Sequence, residues 1–267
     1  MDFATIIGLF LGVGLIGTGM YLGSVQQGVP ISKFFEIVSL MIVLGGTLAA
    51  TAIAFPLNEV KRVISLLRIV FSKSKHENLG PLVDEIVELS GVARKNMRDL
   101  EGSIPNIKED FLKDGVQYVV DGRSQEDVAK ILQTAEDFRY ERESHESGLV
   151  KTMGIYAPAF GMVGTLIGLV MMLMGMGQAS AEGTDMAASL GGAMGVALIT
   201  TFYGALFANL IFLPFSDKLK MRNKENNLVS SIIIEGVLLI QQKKHPLDVR
   251  ERLNVFLPFR DRKAEID

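Results

Sequence analysis

The sequence predicts an all-α membrane protein with four transmembrane helices, a helical cytoplasmic domain between the second and third, and a helical C-terminal tail. Three observations carry that prediction. First, Thr152–Ala181 and Met186–Ser216 contain no charged side chain. About 20 apolar residues at 1.5 Å each span a hydrocarbon core of roughly 30 Å, and both runs exceed that length. Second, the 267 residues are 48% hydrophobic with a mean hydropathy of +0.31, yet 21% are charged, so a sizeable soluble part accompanies the membrane runs. Third, no stretch alternates apolar and polar residues as a half-buried strand does.

Residues 1–57 hold the first two transmembrane helices. Phe3–Ser32 is uncharged, and its Gly8/Gly12 and Gly19/Gly23 pairs suit close helix contact. A turn follows at Gln26, Gln27, Gly28 and Pro30. The second helix runs through Ile37–Phe55 and stops near Pro56. Residues 58–150 form the cytoplasmic domain. There Val60, Val63, Ile64, Leu67 and Val70 recur at helical spacing, which extends the second helix below the membrane. Pro81 sits at a helix start, and Leu82, Val83, Ile86, Val87 and Ala93 form one stripe. Phe111–Val120 is a shorter helix ended by Asp121-Gly122. Ser124 and Asp127 mark the next N-terminus. Glu136–Glu146 is almost wholly polar. Residues 151–216 hold the third and fourth transmembrane helices, joined by a short acidic link with Glu182 and Asp185. Residues 217–267 form the tail: a basic exit (Lys218, Lys220, Arg222, Lys224), an amphipathic helix over Leu228–Gln242 and a short helix after Pro246.

Lys and Arg crowd the membrane-proximal ends of the large loop and the tail, while the two short links are almost free of them. The positive-inside rule then places both termini and the large loop in the cytoplasm. The first run lacks a basic n-region and is longer than a signal h-region, so no cleavable signal peptide is expected. There is no cysteine, and the three histidines are far apart, so neither a thiolate metal site nor a stable metal cluster is expected. The formal charge of −3 gives no reason to propose nucleic acid. No phosphate-binding loop or nucleophile triad is present, and the sequence reads as a non-enzyme without a cofactor.

The charge pattern inside the membrane is more telling. Ion-carrying proteins place acidic groups on the path, but the centres of all four runs have none. A cation path through this chain therefore rests on hydroxyls and carbonyls, or a partner brings the carboxylate. Thr165, Thr200 and Thr201 are the candidate hydroxyls, set among Gly161, Gly164, Gly168 and Gly204. The competing explanation is that each threonine bonds the carbonyl of its own preceding turn. In the loop, Arg94, Arg98 and Glu101 follow an i, i+4, i+7 pattern, which on one helix presents two cations and an anion on a single face.

Ala157–Leu169, with Ala-Pro-Ala-Phe-Gly-Met-Val-Gly-Thr, and Ala197–Ala205, with Leu-Ile-Thr-Thr-Phe-Tyr-Gly, resemble the MotA/PomA flagellar stator subunits. Leu213–Leu219 and Glu235–Gln241 extend the resemblance, which covers essentially the whole chain. It implies an ion-driven torque generator in the inner membrane: a homopentamer around a dimer of a MotB/PomB-like partner. That partner would supply the membrane aspartate and the peptidoglycan anchor. The third and fourth helices would face it, with the first two peripheral. Pro158 and Pro214 match the family's prolines implicated in coupling. Ala93-Arg94-Lys95 matches the segment that contacts the rotor protein FliG, with Glu101 as the acidic counterpart after a one-residue gap. The threonine pattern looks like the sodium-type members, with Thr200 the informative position, Thr165 nearby and Thr201 behind it. A proton-driven stator is the alternative ion choice. ExbB/TolQ-type energisers and a passive membrane scaffold are the alternative functions.

Overall fold

The computed structural model describes residues 3–72, 79–182 and 186–263, and among these every regular element is helical. Four helical segments are long and apolar enough to cross a membrane: Phe3–Gln27, Ile31–Ala54, and parts of Gln125–Met176 and Leu190–Gln241. Residues 183–185 of the acidic link lie outside the described residues. The chain divides into two compact units.

The first unit comprises Met1–Lys73 and His145–Lys220. Helix α1 (Phe3–Gln27) exposes Phe3, Phe10 and Leu15, a face suited to hydrocarbon. The second span is built from α2 (Ile37–Leu40), a π-helical turn at Met41–Gly45 and α3 (Gly46–Ala54). The Glu36 carboxylate caps it by accepting from the Val38 and Ser39 amides. Its buried hydroxyls are satisfied within the helix: Thr47 donates to the Val43 carbonyl at 2.6 Å and Thr51 to that of Thr47 at 2.7 Å. The expected continuation below the membrane does not occur. Phe55 is extended (φ −130°, ψ 151°), because a residue before proline is pushed out of the helical region. A separate helix, α4 (Leu57–Phe71), begins after Pro56. It buries Leu66 and Val70 against Val150, Phe215 and Leu219, and its Arg62 pairs with Glu146 at 2.8 Å.

The second unit comprises Ser74–Ser144 and Met221–Asp267, so the loop and the tail, read from sequence as separate domains, fold together. Its helices are α5 (Gly80–Lys95), α6 (Met97–Ser103), α7 (Asp110–Val120), the start of α8 (Gln125–Glu182), the end of α10 (Leu213–Gln241) and α11 (Pro246–Asn254). Between α8 and α10 in chain order, α9 (Met186–Leu206) belongs to the first unit. Ile86, Leu100, Leu112, Leu132, Ile233 and Leu253 are fully buried in one core. The core admits α7 and α10 closely: a Cβ added at Gly115 would lie 2.7 Å from a Val237 methyl, and one at Gly236 2.6 Å from Ile86.

One expected boundary is absent. The polar Glu136–Glu146 stretch is an interior part of α8, and Leu228–Gln242 is not a separate helix but the end of α10. The polar stretch is explained by its partner. Asn227 donates to Glu136 at 3.0 Å, Asn226 to Glu143 at 3.1 Å and Asn223 to the Tyr140 carbonyl at 3.1 Å. Arg139 pairs with the buried Glu136 at 2.7 Å and donates to the Asn226 carbonyl at 2.9 Å. Three asparagines within five residues of α10 thus hold two carboxylates and a carbonyl spread over two turns of α8, which locks the register of the two helices.

Asp84 of α5 accepts from Arg250 of α11 at 2.8 Å and from Lys263 at 2.7 Å. Partial burial opposes its ionisation, but the hydrogen bonds and charges of Lys263 and Arg250 outweigh that and hold the carboxyl below its ordinary 3.8. A depressed folded-state pKa stabilises the fold above the unfolded value and loses that stabilisation as pH falls through the folded one. Wild type should therefore lose melting temperature below about pH 4 more steeply than Asp84→Asn, while above it the variant melts lower. Thermal melts across an acid pH series test this; parallel curves would remove Asp84 from the acid response.

Candidate functional site

The third and fourth spans, α8 and α9, touch backbone to backbone. A Cβ added at Gly204 would lie 2.7 Å from the Ala157 carbonyl oxygen and 3.1 Å from Pro158 Cα. One at Gly161 would lie 3.0 Å from the Thr200 carbonyl oxygen, and one at Gly168 2.8 Å from that of Ala193. At Gly164 it would meet Thr200 Cβ at 2.5 Å. Glycine at these four positions is what allows the approach.

That approach brings the three candidate threonines onto one acceptor. The Ala197 carbonyl oxygen receives the Thr200 hydroxyl at 2.8 Å, Thr165 at 3.1 Å and Thr201 at 3.4 Å. A carbonyl has two lone pairs, so three donors compete for it. Each has another partner. Thr200 reaches the Val196 carbonyl at 3.0 Å, Thr165 the Gly161 carbonyl at 3.1 Å, and the Thr165 and Thr201 hydroxyls bond each other. Their environments differ. Thr200 is fully buried against Gly164, with its hydroxyl bonded to carbonyls of its own helix. Thr165 is half-buried and Thr201 exposed. The accessible hydroxyl pair is thus Thr165 and Thr201, and Thr200 holds the carbonyl between them.

Both singled-out prolines belong to the same helix pair. Pro158 lies inside α8, where it cannot donate to the Gly154 carbonyl. Pro214 follows a π-helical turn, Phe207–Phe212, which joins α9 to α10 without breaking the helix. The wider turn re-registers the hydrogen bonds beside a residue with no N–H. Leu213 packs on Gly154, and Gly204 packs on Pro158.

No role was assigned to Tyr203 from the sequence, although its hydroxyl lies in an uncharged run. Its hydroxyl donates to the Phe34 carbonyl at 2.6 Å and accepts from the Glu36 amide at 3.3 Å. With Ser39 donating to the Val196 carbonyl at 3.4 Å, it ties the start of the second span to α9. The signal available was a tyrosine inside an uncharged run, whose hydroxyl must find a partner away from water.

In the second unit, Arg94 and Glu101 are both exposed but do not share a helical face. Asn96 is extended (φ −158°, ψ 129°) and caps α6 by accepting from the Arg98 amide at 3.1 Å. Arg94 therefore lies in the last turn of α5, while Arg98 and Glu101 lie on α6; the cap overrides the i, i+4, i+7 spacing. Among the described residues, no group of three or more His, Asp and Glu could hold a metal ion.

Residues 103–230 match the model of the MotA/TolQ/ExbB proton channel family. Motility protein A of Borreliella burgdorferi is 36% identical over 98% of this chain and 96% of that protein. Chemotaxis protein PomA of Vibrio alginolyticus is 32% identical over the full length of both. The chain belongs to the MotA/PomA family. The flagellar MotAB stator complex from Bacillus subtilis has the same fold, with a TM-score of 0.80, 30% identity, and coverage of 95% of this chain and 97% of that one. Full-length likeness to motility proteins sets this MotA/PomA-family chain apart from the energiser branch that shares the family model.

Gly204→Ala should spread α8 from α9, because its Cβ meets backbone that cannot rotate away. A loss of about 1–3 kcal/mol is expected, read as lower yield and melting temperature of the purified protein. Tyr203→Phe keeps the ring and removes both hydroxyl bonds, one of them at 2.6 Å, so melting should fall while membrane insertion is normal. An unchanged melt would mean the Phe34–Glu36 segment is held by other contacts.

Proposed function

We propose that this protein couples sodium flow across the inner membrane to torque on the flagellar rotor. It acts as a homopentamer around a dimer of a MotB/PomB-like partner, which supplies the membrane aspartate and the peptidoglycan anchor. Both termini and the second unit are cytoplasmic, and the first two spans meet lipid. The observation that carries this reading is the convergence of Thr165, Thr200 and Thr201 on the Ala197 carbonyl, between two membrane runs (152–181 and 186–216) with no carboxylate of their own. The MotAB complex of the Bacillus relative supports the partner.

The chemistry follows from the donor set. Sodium is a hard cation and needs several oxygens in place of its lost water, whereas a proton needs only a carboxylate to hop onto. When the Thr165 and Thr201 hydroxyls rotate away from the Ala197 carbonyl, three oxygens turn toward the path. Thr200 contributes by fixing that carbonyl against α8, and the partner's aspartate completes the site. A charge crossing the full field gains about 2.3 kcal/mol per 100 mV, nearly a fiftyfold bias of a two-state equilibrium. Pro158 and Pro214, at helix positions already short of hydrogen bonds, turn that bias into movement. Arg94 and Glu101 present it to the rotor protein FliG.

Thr201→Val is nearly isosteric and removes one accessible hydroxyl. It should raise the sodium concentration for half-maximal swimming about tenfold, equivalent to about 1.4 kcal/mol. Swimming speed against external sodium at fixed proton-motive force measures this in wild type and variant. Wild-type speed that ignores sodium, yet collapses with a protonophore while the sodium potential is kept, would make the stator proton-driven.

A further inference from the structure

Two helices of this chain belong to both of its compact units. Helix α8 runs unbroken from Gln125 to Glu182, and α10 runs from Leu213 to Gln241 as the continuation of the fourth span. Each is stiff along its own axis. Two packed helices can still slide along each other unless their contact resists shear.

The contact that resists it is polar. Just beyond the point where α8 and α10 enter the second unit, Glu136 and Arg139 meet Asn223, Asn226 and Asn227 instead of aliphatic side chains. Glu136 is only 5% exposed and Asn223 4%. Further along the same pair, Leu132, Val229 and Ile233 belong to the aliphatic core. Stability does not explain the change of chemistry. A buried ion pair is costly to desolvate, and apolar side chains of like volume often stabilise as well or better. The network is also incompletely satisfied: Arg139 Nε is buried without a hydrogen-bond acceptor and stands 3.9 Å from Glu143. What directed bonds do supply is register. They are lost when one helix slides, whereas aliphatic contacts are exchanged for others like them.

We propose that Glu136, Arg139 and Asn227, supported by Asn223 and Asn226, are positioning residues for energy coupling. They hold α8 and α10 in one register, so that displacement of the spans reaches the second unit instead of being dissipated as slip between the helices. The inference rests on the reading of this chain as a stator subunit and adds residues to its coupling machinery. Backbone bonding is interrupted on the membrane side, by Pro158 in α8 and by the π-helical turn ahead of α10. The two helices can therefore shift unequally there, and the polar contact is where the difference is removed.

The test uses the complex with its MotB-like partner. One variant makes the contact apolar, Glu136→Leu with Arg139→Met and Asn227→Leu. A second exchanges acceptor and donor, Glu136→Gln with Asn227→Asp, which keeps both a bond and the charge. Each is assayed for melting temperature, for ion uptake in vesicles and for stall torque of tethered cells. Register is read by disulfide formation, since the chain has no cysteine of its own. Ser147→Cys is paired with Ser216→Cys, whose hydroxyl in the native chain donates to the Ser147 carbonyl at 2.8 Å, or with Lys220→Cys, one turn out of register. The apolar variant should melt at or above wild type and take up ions at the wild-type rate. Its off-register disulfide should rise about tenfold, which corresponds to about 1.4 kcal/mol of lost register preference, and its torque should fall with the slipped fraction. The exchange variant should match wild type in torque and in cross-linking. Lower melting of the apolar variant would make the contact an ordinary stabiliser and overturn the proposal. Full torque or unchanged cross-linking in that variant would do the same, as would ion uptake that falls in step with torque. Torque lost by the exchange variant while it cross-links in register would also sink it. A wild-type complex that generates no ion-dependent torque would instead remove the stator reading itself.

Discussion

The contact between the α8 and α9 backbones is the constraint on which the membrane unit depends. Lipid tails are as apolar as leucine, so no hydrophobic force drives two helices together in a bilayer. Close packing and interhelical hydrogen bonds must do so. Gly161, Gly164, Gly168 and Gly204 remove the Cβ atoms that would hold the helices apart. At the usual 8–10 Å between axes, a threonine on one helix seldom reaches a carbonyl on the other. Here Thr165 of α8 reaches the Ala197 carbonyl of α9 at 3.1 Å. The polar cluster exists because the glycines let it close.

The same contact sets the level of the other features. Gly204 against Pro158 and Gly154 against Leu213 bring both prolines to one region of the pair. Helix bonds are already interrupted there, by Pro158 on α8 and by the π-helical turn before Pro214. The second span is added through Gly46, where a Cβ would collide with the Phe160 ring, and through Tyr203, whose hydroxyl holds the Phe34–Glu36 backbone. The pair thus carries interrupted backbone bonds in one region and a satisfied buried tyrosine bracing another.

The second unit is held by different physics. It buries an aliphatic core in the ordinary aqueous manner and sets its long helices in register with an asparagine–carboxylate ladder. Apolar packing alone is tolerant of sliding by a turn; a ladder of directed hydrogen bonds is not. Its Arg94, Lys95, Arg98 and Lys243 side chains are exposed and form no ion pair among the described residues.

The sequence by itself determined the helical class, the four spans, the helix starts at Pro81 and Ser124, the lack of a membrane carboxylate and the three threonines worth examining. These depend on hydropathy, periodicity and turn chemistry, which act over a few neighbouring residues. The tertiary structure decided what faces what. Thr165 and Ala197 are 32 positions apart, and Tyr203 and Phe34 are 169 apart. No local pattern reports that Thr200 faces a glycine while Thr201 faces outward. Helix continuity was also decided this way. The polar stretch of α8 had no partner legible in the sequence, because the asparagines that pair with it lie on α10 and their contribution appears only when the two helices meet. Where a local signal did exist, as at Asn96, a plausible 3.6-residue spacing masked it; the cap won because its side chain satisfies an amide that the uninterrupted spacing left out of account.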